Sequence, residues 1–444
     1  MNFSCIDFQT FSWYDNKYQM ILTLKGPEQM DLINQHFLSA LKAYLQGVPA
    51  SIEEDLTAEQ WEQFMRQATA QNVLPMIYTA VCDNASLNRN HPALLATVRQ
   101  TAFHNIAIQT RKTSEFLALQ KRLHSAQIQP LVVKGLMCRC LYPDPDARGS
   151  SDEDLLISPD DFNACHGVMI TSGMETTTEP EKIAYSYEVP YCKEGSPLYI
   201  ELHKSLFPPE SDAYGDFNRF FEKVHERSVI QEVIGVPIRT MCPTDHMFYL
   251  ICHAFKHFLH SGFGIRQVCD IALYANAYGS KLDWATIVAN CRAIHAEGFC
   301  LAMLRIGKEY LTLDVEKACL PPVWRDLKVD ETLMLEDLLI GGLYGDADMN
   351  RKHSSSITLD AVAAEKKGRR AKGGLLASLF PSLRIMAVRF RYLEKAPWLL
   401  PFAWVHRILL YNKENRAIPG NSAADTLKIG RERVEMMRSY GIIK

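Results

Sequence analysis

The chain has 444 residues, with 47% apolar residues, 22% charged residues and a net charge of −3. That length allows two or three domains around a sizeable core, and the composition is that of a soluble globular protein. The near-neutral balance argues against a dedicated non-specific nucleic-acid binder, though a local basic groove stays open.

No basic-then-apolar leader opens the chain. The longest apolar run, 396–405, holds Pro397 and Pro401 and is too short to span a bilayer. Cytoplasmic residence is the default expectation. The 12 cysteines include no Cys-x-x-Cys pair, so they read as small buried residues in a reducing compartment.

Residues 1–25 carry an apolar stretch at Met20–Leu24 but no clear element. A helix is expected from Pro27 to about Leu45, on the spacing of Met30, Ile33, Phe37 and Leu41. Thr57 and Gln60 form a capping-box signature, followed by Trp61, Phe64, Met65 and Ala68 on one face. Further helices are expected at 73–82 and 91–125. Residues 1–125 thus read as an N-terminal helical region.

From 126 to 240 the pattern changes to a mixed module. It reads as strand 130–134, helix 135–142, strand 153–158, helix 159–172, strand 182–190 and strand 197–203. Ser158 or Asp160 is expected to cap the helix at 159. A short helix is expected within Phe217–Val229 and an edge strand at Val233–Ile238, where Pro237 is tolerable. The fold class is α+β: a small mixed sheet with packed helices, embedded between largely helical regions. There is no G-x-G-x-x-G after a strand and no P-loop.

Residues 241–444 read as a C-terminal helical domain. Thr244 is expected to cap a helix that carries His246, His253, Lys256, His257 and His260. More helices fit 264–277, 283–295, 297–310 and 331–340. Residues 345–376 are polar and then basic, ending in Lys366-Lys367-Gly368-Arg369-Arg370 and beyond. That stretch reads as a mobile surface segment, with phosphate or substrate capture as the alternative. Another helix is expected to begin at Phe380-Pro381-Ser382. Trp398–Trp404 reads as a core-docking helix, with a membrane-surface helix as the alternative.

Chemistry concentrates at 131–159. Leu131–Val133 is an apolar run closed by Lys134-Gly135, and Asp152-Glu153-Asp154 leads into Leu155-Leu156-Ile157. In a strand, Asp152 and Asp154 share a face, roughly 6.6 Å apart, and Glu153 points the other way. A cation relieves the repulsion of such a pair. Leu198–His203 places Glu201 and His203 on one alternation, so Glu201 can complete an acidic triad from a neighbouring strand. Lys134, Gly135, Arg148 and Ser151 are candidate phosphate contacts, each with a plain structural reading beside it. His203 is a phosphate or proton partner, or a brace for Glu201. His253 and His257 have zinc-like spacing but lack the Glu of a zinc hydrolase motif; Asp270 could bond one of these histidines, and Arg266 is a further phosphate candidate.

The residues Lys134-Gly135, Tyr142, Arg148, Ser151-Asp152-x-Asp154-Leu-Leu and Glu201-x-His203 resemble a bacterial family of uncharacterised nucleotidyltransferases in the polymerase-beta-like superfamily. The resemblance implies metal carboxylates at Asp152, Asp154 and Glu201, with Mg²⁺ or Mn²⁺ as cofactor. It departs from the superfamily in its phosphate turn: Lys134-Gly135 ends the first strand, where a Gly-Ser turn is usual.

The favoured reading is an enzyme. It moves a nucleoside monophosphate from an NTP, with ATP the leading candidate, to a hydroxyl of a small molecule, protein or RNA, and releases pyrophosphate. A phosphotransferase on the same fold, or a non-catalytic nucleotide-binding or antitoxin-like protein, is the alternative. Oligomeric state is not legible.

Overall fold

The computed structural model describes residues 30–341, 349–368, 383, 386–387, 390–416 and 423–444. The Met20–Leu24 stretch, the Arg369–Gly374 basic run and the helix start at Phe380-Pro381-Ser382 lie outside the described residues.

Helices α1 (Leu32–Leu45), α2 (Ala58–Ala70), α3 (Leu74–Val81), α4 (Ala85–Asn90) and α5 (Pro92–Ser125) come first. The capping box forms as expected: Thr57 N donates to Gln60 Oε1 at 2.8 Å, and Gln60 N donates to Thr57 Oγ1 at 3.3 Å. Next come β1 (Leu131–Val133), α6 (Gly135–Arg139), β2 (Glu153–Leu156), α7 (Phe162–Thr171), α8 (Pro180–Ile183), β3 (Glu188–Cys192) and β4 (Tyr199–His203). A hairpin, β5 (Val229–Val233) and β6 (Val236–Thr240), closes the module.

These strands form a six-stranded sheet in the order β3-β4-β2-β1-β6-β5. It is mixed: β1 runs antiparallel to β2 and parallel to β6, and β2 runs parallel to β4. Alternation sorts the side chains. Val132, Leu155, Ile200 and Leu202 join Phe116 and Leu123 of α5 and Phe162 and Met169 of α7 in one cluster. Leu131, Val133 and Leu156 take the opposite side and join the larger core. Asp154, Glu201 and His203 share that second side by the same alternation.

The larger core runs through α1–α3, then α9 (Pro243–His260), α10 (Ile265–Tyr278), α11 (Trp284–Ala293) and α12 (Glu297–Tyr310). It continues past α13 (Pro322–Arg325) into α14 (Thr332–Gly341). The N-terminal and C-terminal helices therefore share one interior. Gln71 ties them, donating to Leu338 O at 2.9 Å and accepting from Ile265 N at 2.9 Å.

Four local expectations are corrected. Residues 182–190 are not one strand: Pro180 starts the short α8, Tyr185 is 91% exposed, and the strand begins at Glu188. Residues 233–238 are not one strand either. Ile234 and Gly235 both have positive φ, 49° and 70°, and make the two-residue turn that joins β5 to β6. Pro237 faces Glu232 beside that turn. Its missing N–H costs no ladder bond, because β1 reaches β6 only at Thr240. The helix expected within 217–229 is a 3-10 turn at Gly215–Phe221. Thr244 does not cap α9; its hydroxyl accepts from Asp283 N at 2.9 Å and joins α9 to the start of α11.

Part of the polar segment is a packed helix, α15 (Met349–Lys366), rather than a loose surface stretch. Its Thr358 hydroxyl donates to Leu259 O at 2.6 Å, and its Arg351 pairs with Asp337 at 2.6 Å. Arg351 also donates to Ser261 O. After α16 (Tyr392–Lys395), α17 (Leu400–Arg416) packs through Ala403 against Phe390 and Leu393 in a small separate cluster. Trp398 and Phe402 stay on the outside, 75% and 67% exposed, so this stretch does not dock in the core as expected. In α18 (Ala423–Ser439), Arg433 donates to Phe258 O and pairs with Asp337 at 2.8 Å. Residues of α15 and α18 thus hold the last carbonyls of α9. Among the described residues no helix is long and apolar enough to cross a membrane, and no cysteine forms a disulfide.

Candidate functional site

The site grows from the end of β1. Lys134 has φ 61° and ψ −120°, a region that a non-glycine residue occupies at a cost of about 1–3 kcal/mol. Its backbone N–H donates to His246 Nε2 at 3.1 Å, a buried imidazole pushed down to about 4 by burial and so neutral. This geometry turns the side chain toward β2. Lys134 Nζ lies 2.8 Å from Asp154 Oδ2 and 3.8 Å from Asp152 Oδ1.

Asp154 stands in register with Glu201 across the parallel β2–β4 pair. His203, two residues along β4, points to the same side. Its Nε2 lies 3.2 Å from Asp154 Oδ1 and 3.5 Å from Glu201 Oε2, and its Nδ1 lies 3.5 Å from Glu188 Oε2. Glu188 is placed there by the β3–β4 register, which sets it opposite His203.

The charges are strongly coupled. Burial alone would lower the Lys134 ammonium, but the Asp152 and Asp154 carboxylates outweigh it and hold the pKa above its ordinary value. Burial works to raise Asp154, and the Lys134 charge with the His203 hydrogen bond wins, holding it well below the usual carboxylate range. Glu201 goes the other way: burial raises it, and Asp154 and Asp152 add to that. His203 resists burial through its hydrogen bonds to Asp154 and Glu201 and is pushed up to about 9. At neutral pH, Lys134 and His203 are therefore the cations of the cluster.

Among the described residues, one group of metal-ligating side chains has its ligand atoms within 4.8 Å of one another: Asp154, Glu201 and His203. Two carboxylates and an imidazole suit a divalent cation of the Mn²⁺ class at least as well as Mg²⁺. Asp152, expected as a ligand, lies outside that group. It precedes β2 and is tied to the site through Lys134.

Helix α9 covers this side of the sheet. His253 Nε2 is 3.2 Å from Lys134 Nζ and 3.2 Å from His257 Nε2. An unprotonated Nε2 on His253 accepts from both. Burial holds both imidazoles well below their ordinary pKa, and the Lys134 charge adds to this. The pair is a neutral wall of the site, and among the described residues neither imidazole belongs to a group of three metal-ligating side chains.

The remaining predicted residues sit in the supporting frame. Arg148 is 2% exposed and forms a two-pronged pair with Asp270, Nε to Oδ1 at 2.8 Å and NH2 to Oδ2 at 2.5 Å. Tyr142 donates to the same Asp270 at 2.8 Å. Asp270 thus serves Arg148 and Tyr142 rather than an α9 histidine, and Arg148 is held as a brace. Arg266 donates to Gly149 O instead of facing a ligand. Gly135 makes room for Glu153: a Cβ there would overlap Glu153 Oε2. That carboxylate points away from Asp154, as alternation requires. It accepts from Leu136 N at 3.0 Å and pairs with fully buried Arg139 at 2.5 Å. The Ser151 side chain is exposed, while its carbonyl accepts from Lys112 Nζ at 3.0 Å; Ser150 O accepts from the same ammonium at 2.5 Å. Ser150 N also donates to Gln109 Oε1 at 2.9 Å, so Lys112, Gln109 and Arg266 pin the turn that delivers Asp152.

Sequence reasoning missed Glu188, Lys112 and the Glu153–Arg139 pair as parts of this region. The doublet Glu188/His203 needed the β3 boundary, which the Tyr-rich alternation misplaced. Glu153 was legible as the odd residue of Asp-Glu-Asp, but its partner was not.

A small mixed sheet with acidic side chains on parallel neighbours, framed by helices, is the architecture of the polymerase-beta-like nucleotidyltransferases. The chain belongs to the family described as "Uncharacterised nucleotidyltransferase", whose model matches residues 57–312, more than half of the chain. It is also similar to the crystal structure of an antigenic nucleotidyltransferase-like protein from Paracoccidioides brasiliensis. That similarity has a TM-score of 0.30 and 13% identity, over 50% of this chain and 94% of that one. No curated protein matches the sequence.

Proposed function

We propose that the protein is a metal-dependent nucleotidyltransferase that moves a nucleoside monophosphate from an NTP, ATP first among them, to an acceptor hydroxyl. The observation that carries this reading is the register of Asp154 with Glu201, which brings both to His203 within one ligand-sized group. Family membership supports it.

Asp154, Glu201 and His203, the last after giving up its proton, would hold a Mg²⁺ or Mn²⁺ ion, with Asp152 beside them. Bound there, the ion would neutralise phosphate oxygens and acidify the acceptor hydroxyl. The chain's own residues supply the rest. Lys134 Nζ, set between Asp152 and Asp154, balances charge at the transferring phosphoryl group. Glu201, its carboxyl raised by burial, is fit to take the hydroxyl proton. His203, flanked by Glu188, orients the two carboxylates. The acceptor oxygen forms a bond to the α-phosphorus, and the bond to the bridging oxygen breaks, so pyrophosphate leaves. Work in the cytoplasm, on a small molecule, a protein or an RNA end, belongs to the same reading.

The test is a product assay with each α-³²P-labelled ribonucleoside triphosphate, Mg²⁺ or Mn²⁺, and cell extract as acceptor. Label on an acceptor with pyrophosphate released, and neither in Asp154→Asn, supports nucleotidyl transfer. A nucleoside diphosphate in place of pyrophosphate would make the protein a phosphotransferase. Nucleotide binding without turnover would make it a binding module.

A further inference from the structure

Helix α9 lays Tyr249, His253, Lys256 and His260 at the spacing i, i+4, i+7 and i+11, one stripe of a helix. The first two residues place that stripe. Tyr249 lies within the field of Asp154, Lys134, Asp152 and Glu201, and His253 touches Lys134. Lys256 follows one turn later, about 4.5 Å along the axis from His253.

Lys256 differs from the other cations here. Lys134 has Asp154, His203 has Asp154 and Glu201, Arg139 has Glu153, and Arg148 has Asp270. Among the described residues Lys256 has no hydrogen-bond or ion-pair partner, although it is partly buried. Its neighbours on α9 cannot compensate it: His253 and His257 are held neutral, and Tyr249 stays protonated. The carboxylates it senses, Asp154, Glu188 and Glu201, already serve Lys134 or His203. Burial, then the Lys134 charge, lowers its own pKa. An unpaired, desolvated ammonium is a standing cost to the fold. A bound anion would repay it.

We propose that Lys256 is the principal contact of a polyphosphate subsite on α9. It takes the distal phosphates of a nucleoside triphosphate whose proximal phosphate lies at the acid cluster. A ligand that reaches both Lys256 and the cluster carries more than one anionic group along an extended chain. This inference rests on reading the acid cluster as a phosphate-carrying metal site.

The test uses the full chain and inorganic tripolyphosphate, with and without Mn²⁺, by titration calorimetry. Lys256→Met should bind tripolyphosphate about tenfold or more weakly than wild type. Its melting temperature should stay level or rise, because an uncompensated charge has been removed. Lys256→Arg should keep most of the affinity, and Lys308→Met, an exposed surface change, should alter nothing. Equal tripolyphosphate affinity in Lys256→Met and wild type, or no binding by wild type, overturns the subsite. A lower melting temperature in Lys256→Met with unchanged affinity would make Lys256 structural. The two readings part cleanly. If labelled transfer fails but tripolyphosphate binding still depends on Lys256, the transferase reading falls and the subsite stands. If transfer and tripolyphosphate binding both persist unchanged in Lys256→Met, the reverse holds.

Discussion

Asp154 and Glu201 sit side by side on parallel strands, and only Glu201 has its carboxyl raised. One is tied by an ammonium; the other is not. They should therefore fail differently. Asp154→Asn removes the partner of two buried cations, so it should cost about 3–5 kcal/mol of stability as well as transfer. Glu201→Gln removes a carboxyl that burial already disfavours. It should lower transfer by at least about 10²-fold with little loss of stability. Urea unfolding beside the product assay would separate the two, and equal stability losses would count against this division of roles.

Lys134 competes with any cation for Asp154. In Lys134→Met that competition ends. The nucleotide-free protein should bind Mn²⁺ more tightly, by about tenfold or 1.4 kcal/mol, while transfer falls. Calorimetric titration with MnCl₂ reads the first effect. Unchanged or weaker Mn²⁺ binding would mean that Lys134 and the ion do not share Asp154.

His203 carries a pH signature. Its folded pKa, about 9, lies above its ordinary 6.5. The stability it contributes is fully present below about pH 6.5 and is lost as pH rises through about 9. In chelator-treated protein, the melting-temperature gap between wild type and His203→Gln should be widest near pH 6 and close by pH 10. A gap that stays constant across that range would show that His203 is not charged in the fold.

Arg148 offers a check on the frame. Arg148→Met strands buried Asp270 and should destabilise by about 3–5 kcal/mol. At a temperature where the variant stays folded, its affinity for tripolyphosphate should match wild type. A tenfold loss of affinity in folded protein would return Arg148 to the ligand.

What the sequence disclosed was local. β1, β2 and β4 were readable because short apolar runs end at marked residues, Lys134-Gly135, Asp152 and Glu201. The helices were readable from 3.6-residue spacing and from caps such as Thr57. What escaped depends on distant partners. Arg148 looks like a phosphate ligand beside an Asp pair, yet its partner Asp270 is 122 residues away. His203 was visible as a neighbour of Glu201, but its place between three carboxylates needs β3 and β2 on either side of β4. Lys134's left-handed backbone leaves no trace in residue type, because the usual marker of that conformation is glycine.

The end of α9 is held from beyond the matched segment. Its Phe258, Leu259 and Ser261 carbonyls are taken by Arg433, Thr358 and Arg351, all outside residues 57–312. A fragment cut at the limits of the family match would carry the site-facing helix with those acceptors bare and part of the common interior missing. Expression of that fragment should therefore yield a loosened protein, and activity lost in it would say nothing about the acids. The unit that folds is larger than the segment that the family model matches.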